Sequence, residues 1–238
     1  RIESGVLSRI AEREDRAVSS WRSDRRIWDI SQTLRPTNEQ GGLPVWPGDT
    51  QFAFERTWTM EDGSPVNVGR MTMSTHSGTH GDAPLHYSQT APDIASVALD
   101  PYLGECLVID ATDVSGGAIS VGDLPHIESA DRVLFRTFAR FPHDEWDGDF
   151  TAIDAETIEW LALQGVKLVG TDAPSVDPQE SNTMDAHKAV LKHDMRILEG
   201  LVLDGVSEGR YELIALPLKI AGGDAGLTRA ILRELPDA

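Results

Sequence analysis

The sequence predicts a mixed α/β domain built on one dominant sheet, and three observations carry that reading. Most apolar segments after Arg26 are short, rich in Val, Ile, Leu and aromatic residues, and bounded by Gly, Pro, Asn or Asp, as strands are. Two segments instead space their apolar residues helically behind an acidic start. No linker, internal repeat or low-complexity tract divides residues 27–238, which therefore read as a single domain. With 238 residues, 40% hydrophobic and 25% charged, the chain can bury a sizeable core, and no apolar run is long enough to span a bilayer.

Residues 1–26 differ from the rest, carrying seven arginines and five acids with Val6, Ile10 and Val18 at loose helical spacing. They are expected to form a helical or mobile N-terminal arm, and they lack the apolar core of a secretory signal. "RIWDISQTL" reads as the first strand and "LPVWPGDT" as a Pro/Gly turn region. "QFAFERTWTM" and "SPVNVGRMTMSTH" alternate and form a strand pair turned by "EDGS". "GECLVIDAT" and "DRVLFRTF" are buried strands. "DAETIEWLALQG" is a helix ended by its glycine, "VKLVGTDAPSV" a strand running into a loop, and "TMDAHKAVLKHDM" a second helix. "RILEGLVLDGV" and "YELIALPLKI" are strands, and "LTRAILREL" is expected to close the chain as a helix.

The net charge of −18 disfavours nucleic acid and anionic membrane surfaces as partners and fits a cytoplasmic protein. The one cysteine, Cys106, excludes an intramolecular disulfide and Cys-rich zinc motifs; within a buried strand it reads as a packed thiol. Any metal must then be held by His, Asp and Glu.

The stretch "STHSGTHGDAPLHY" concentrates three of the seven histidines in eleven positions. Alternation from Val66 through Arg70 and Ser74 brings His76 to the end of a strand face. His76 and His80 are four apart, as in helical zinc-protease motifs, but Gly78, Gly81 and Pro84 argue against a helix and the motif's Glu is absent. Pro84 pushes Ala83 toward an extended conformation, so His80 and Asp82 point the same way, and the glycines let His76 fold back to join them. His76, His80 and Asp82 therefore form a candidate three-ligand face. His86 suits general acid and base work beside it, since its pKa lies near neutrality. A second cation would need further ligands. His187, on the second helix, is one candidate. Glu199, flanked by Leu198 and Leu201, is another, because a strand-buried carboxylate needs either a cation or an arginine such as Arg196. His193 competes with His187 but suits the helix C-terminus, and His126 and His143 fall in loops. "GVSEG" matches the nucleophile-elbow pattern around Ser207, yet a strand rather than a helix follows, so it reads as a hairpin turn.

"STHSGTHGDAPLHY" resembles the signature of the metal-dependent cyclase-like hydrolases. With "VWPGDT", "DPQESNTMDAH" and "ILEG" the likeness narrows to the bacterial kynurenine formamidase (arylformamidase) branch, and it covers almost everything from Trp28 onward. The resemblance implies a swivelling β/β/α fold, a homodimer or larger homo-oligomer, and two divalent cations per subunit, zinc with manganese accepted by relatives. It places His76, His80 and Asp82 on one ion, Asp82 as a bridge, and His187 and Glu199 on the other. It makes His86 the acid/base and Trp46 a substrate-contacting aromatic. The implied reaction is hydrolysis of N-formyl-L-kynurenine, a small-molecule substrate, by hydroxide activated between the ions. An isatin hydrolase or other cyclic-amide hydrolase is the alternative, and a non-catalytic metal-binding protein a second.

Overall fold

A computed structural model describes residues 25–114, 117–127 and 129–236, so the expected N-terminal arm lies outside it apart from Arg25 and Arg26. The strands are β1 (Ile27–Asp29), β2 (Ala53–Trp58), β3 (Val68–Thr72), β4 (His80–Asp82), β5 (Leu103–Asp110), β6 (Ala118–Ile119), β7 (Arg132–Arg136), β8 (Ala152–Ile153), β9 (Leu168–Thr171), β10 (Arg196–Glu199), β11 (Gly209–Ile214), β12 (Ala225–Leu227) and β13 (Ile231–Arg233). Two α-helices are described, α1 (Ala155–Leu163) and α2 (Asp185–Lys192). Among the described residues, no helix is long and apolar enough to cross a membrane.

Nine strands form one sheet in the order β1-β13-β11-β5-β7-β9-β10-β4-β12. Its centre, β5-β7-β9-β10, is parallel, and every other pairing within this sheet is antiparallel. A parallel strand is covered on both faces, so it reads as a continuous apolar run, as in "VLF" of β7. Val133 and Phe135 point to one core with α1 and α2, including Ile158, Leu161, Ala186 and Val190. Leu134 points to the other, with Tyr102, Cys106, Val108 and Leu198. Cys106 is fully buried there, and that burial pushes its thiol up to about 12, as expected of packed rather than reactive sulfur.

The helices begin and end for different reasons. Helix α1 closes on a Schellman motif, in which Gly165 N–H donates to Ala162 O at 3.0 Å and Val166 N–H to Leu161 O at 3.1 Å. Gly165 sits at φ +91°, which explains the glycine at that position. Asp154 precedes α1, as its acidic start suggested, but its side chain makes no cap. Helix α2 follows Met184, whose left-handed backbone (φ 54°) also supplies no side-chain cap.

The expected C-terminal helix is a correction. "LTRAILREL" forms part of β12 and all of β13. Leu232 pairs with Trp28 on one side and Leu213 on the other and is fully buried. A short isolated helix is marginal in water, whereas the extended segment joins two ladders and buries its leucine, so tertiary pairing overrides the helical spacing. "GVSEG" leads into a strand, β11, as expected, but it closes no hairpin: β11 pairs with β5 and β13, and the preceding β10 with β9 and β4.

Candidate metal centre

The site is assembled by β4, which lies between β10 and β12. Residues two apart on a strand share a face, so His80 and Asp82 project together, and the antiparallel register sets Glu199 directly opposite His80. Gly81 faces the other way, where a Cβ would meet Tyr102 Cε1 at 3.2 Å and Leu198 Cδ2 at 3.4 Å. The glycine lets this strand lie against the second core. His187 enters from α2. His76 does not end a strand, as the alternation suggested: β3 stops at Thr72, and His76 comes from the following turn, returned toward β4 through Gly78 at φ +72°.

Asp82 is the hub. Its Oδ1 lies 3.1 Å from His76 Nδ1 and 3.4 Å from His80 Nε2, while Oδ2 lies 3.3 Å from His187 Nε2. Glu199 completes the far side, with Oε2 3.4 Å from His80 Nε2 and Oε1 3.7 Å from His187 Nε2. His80, Asp82, His187 and Glu199 are all buried. Both carboxylate oxygens of Asp82 and the Nε2 atoms of His76 and His80 make no hydrogen bond among the described residues. Unpaired buried polar atoms are costly, and these, from two imidazoles and one carboxylate, converge with the His187 ring and the Glu199 carboxylate on the donor set a divalent cation takes. His76, His80 and Asp82 stand close enough to hold one ion, and Asp82, His86 and His187 form an overlapping group.

The charges respond accordingly. Burial alone would lower the pKa of His80, but Asp82 and Glu199 outweigh it and raise it to about 10. His187, buried but facing Asp177 and Asp82, is raised to about 10 as well. His76 is raised more modestly, burial opposing the pull of Asp82. Asp82 is held well below the ordinary carboxylate range: burial opposes this, and its imidazole neighbours His187, His76 and His80 prevail. Without a cation, the pocket therefore fills its positive-charge requirement with protons.

His86 behaves differently. It ends a single 3₁₀ turn, Pro84–His86, and is exposed, with its ring centroid 4.0 Å from that of His76. Partial burial, together with the neighbouring imidazoles, lowers its pKa against the pull of Asp82. It is thus neutral at pH 7, next to a cluster that is not.

A cavity of about 330 Å³ opens above these groups, lined by His76, His80, His86, His187 and Glu199 on its floor and by Trp46, Asp49, Trp146, Gln179 and Met184 on its walls. Trp46 packs edge-on against Trp146 at 5.3 Å, and Trp146 Nε1–H donates to Gln179 Oε1 at 2.7 Å. Trp46 and Asp49 are the two ends of one turn: Asp49 N–H donates to Trp46 O at 2.9 Å, with Pro47 and Gly48 (φ +89°) between them, a type II geometry.

The structure brings together His76, His80, Asp82, His86, His187, Glu199 and Trp46, as the sequence suggested. The arginine alternative for Glu199 is corrected: Arg196 pairs with Asp194 at 2.8 Å, while Glu199 Oε1 accepts the Val176 N–H at 2.9 Å. His193 stands at the C-terminus of α2, 3.8 Å from Glu159, and His143 pairs loosely with Asp204 at 3.7 Å. Sequence reasoning missed Asp49, Trp146, Asp177 and Asp224. Asp177 Oδ2 accepts His187 Nδ1–H at 2.6 Å, and Asp224 Oδ2 lies 3.4 Å from His76 Nε2. A tryptophan alone in the acidic loop "DEWDGDF" was a usable signal. The two aspartates gave none, because their partners are remote in sequence.

Residues 28–178 match the model of the putative cyclase family. The kynurenine formamidase of Erythrobacter litoralis (strain HTCC2594) is 77% identical over 221 residues, covering 93% of this chain and all of that one. A solved "potential metal-dependent hydrolase with cyclase activity" is 28% identical with a TM-score of 0.75, over 90% of this chain and 100% of that one. Isatin hydrolase A from Labrenzia aggregata shares the fold, with a TM-score of 0.76 at 22% identity over 93% of this chain and 99% of its own. The chain therefore belongs to the cyclase family, in the branch of the bacterial kynurenine formamidases.

Proposed function

We propose that this chain hydrolyses N-formyl-L-kynurenine to L-kynurenine and formate at a centre of two divalent cations, both zinc, with manganese the alternative metal. The observation that carries the reading is the convergence of three imidazoles and two carboxylates, His76, His80, His187, Asp82 and Glu199, with the exposed imidazole of His86 at the floor of one cavity. His76, His80 and Asp82 would hold one ion, and Asp82, His187 and Glu199 the other. Such cations lower the pKa of water and polarise a carbonyl oxygen. His86 accepts the proton of the attacking water at a ring nitrogen as the O–C bond to the formyl carbon forms. It returns that proton to the arylamine nitrogen as the C–N bond breaks, leaving formate and the free amine. Trp46 and Trp146 bound the space for the aryl ring, and stacking there is worth about 0.5–1.5 kcal/mol beyond burial. Asp49 supports a substrate carrying an ammonium group. Among the described residues it is the one acid on the wall outside the floor cluster, and no Lys or Arg lines the cavity.

Further parts of the reading rest on separate observations. Residues 27–238 act as one domain, since both ends of that span pair in the same sheet. A homodimer or larger homo-oligomer is supported by the exposed β2–β3 ribbon, where Phe54, Trp58 and Met71 are uncovered by the described chain. A cytoplasmic location accords with a lone cysteine kept as a buried thiol. Purified, metal-analysed protein assayed with N-formylkynurenine and isatin side by side tests the assignment. Preference for isatin moves it to the cyclic-amide hydrolases, and metal bound without turnover of either moves it to a binding protein.

A further inference from the structure

We propose that Asp177 is a positioning residue, holding His187 by Nδ1–H so that its Nε2 lone pair faces Asp82 and Glu199. This inference rests on the two-ion reading above. Asp177 is 4% exposed and lies in the loop after β9. One oxygen, Oδ1, accepts the Ala186 N–H at 3.0 Å. The other, Oδ2, accepts both the His187 backbone N–H at 3.0 Å and its Nδ1–H at 2.6 Å. The carboxylate therefore caps α2 from outside the helix, where Met184 supplies no side-chain cap, and grips the imidazole of the same turn.

An ionised carboxylate only accepts hydrogen bonds, so Nδ1 must carry a hydrogen. Once the imidazole is neutral, its free lone pair can only be on Nε2, which points at Asp82 Oδ2 and Glu199 Oε1. His80 is oriented in the same sense, but by a backbone carbonyl: its Nδ1 lies 2.9 Å from Gly78 O. Of these two deeply buried imidazoles, only His187 owes its orientation to a side chain. Substitution at residue 177 should thus loosen one ion and spare the other.

The test is a zinc titration of metal-free protein with a competing chelator, followed by ¹⁵N spectra of the histidine rings in the loaded form. Wild type should take up two ions, with His187 coordinated through Nε2. Asp177→Ala should weaken the second ion about 10- to 100-fold, the usual cost of losing an outer-sphere partner, and leave the first unchanged. Asp177→Asn, whose amide oxygen can still accept from Nδ1–H, should recover part of that loss. Where Asp177→Ala fails to fold, the Asn variant carries the same comparison. Equal weakening of both ions would mark a general lesion from the lost helix cap and overturn the assignment. Unchanged affinity for the second ion, or Nε2 coordination in Asp177→Ala equal to wild type, would overturn it too. A wild-type chain that binds one ion only removes the two-ion reading, and this inference with it.

Discussion

Loading the metal-free protein with zinc should expel protons, and the number can be worked from the site. Asp82 and Glu199 raise His80 to about 10 from an ordinary 6.5, and Asp177 and Asp82 do the same for His187. Both imidazoles are therefore protonated at pH 7, and each must lose its proton before Nε2 can bind a cation. About one proton should leave per ion, so apparent affinity should rise about tenfold, or about 1.4 kcal/mol, for each pH unit between 7 and 9. The fold itself should respond in the opposite sense. A histidine whose folded pKa is raised stabilises the native state fully below 6.5, and that contribution is lost as pH climbs toward about 10. The Tm of metal-free protein should thus fall across this window while the gap to the loaded protein widens. Titration calorimetry in buffers of different ionisation enthalpy counts the protons directly. Zero proton release at pH 7 would refute the reasoning, since it would mean that the buried carboxylates do not charge their neighbours.

Three further outcomes are expected. His86→Ala should retain the metal content of wild type and lose turnover by about 100- to 10,000-fold, read by metal analysis beside the steady-state rate; a normal rate would remove its proton-transfer role. Glu199→Gln should lower bound metal from two ions toward one per chain by elemental analysis, because Glu199 touches His80 and His187 and no arginine. Asp49→Asn should raise KM for N-formylkynurenine roughly two- to fivefold, the worth of an exposed ion pair, while leaving KM for formanilide, which has no ammonium, unchanged. Equal shifts for both substrates would show that Asp49 acts on the turn and not on charge.

What could be read from the chain depended on how local the determining interaction is. Buried strands such as β5 and β7, and helices α1 and α2, are specified by runs and spacings within a dozen residues, and they stand where the sequence suggested. The extended direction of His80 and Asp82 was legible too, because Gly81 and Pro84 constrain the backbone on the spot. The C-terminal segment misled because its helical spacing is local, while its actual partners, Trp28 and Leu213, are not. Asp177 and Asp224 were invisible for the same reason: an aspartate beside a proline or a glycine reads as a turn former, and only the folded chain shows the imidazole it faces.

The register that sets Glu199 opposite His80 joins residues 119 positions apart across a ladder of only three pairs. Sliding β10 by one residue would turn Glu199 to the opposite face of the sheet and present Leu198 to the donors. Zinc stoichiometry is then a readout of alignment, able to separate correctly threaded molecules from compact but misaligned ones that circular dichroism would score alike. A preparation titrating well below its protein concentration would report the fraction of chains whose strands met out of step.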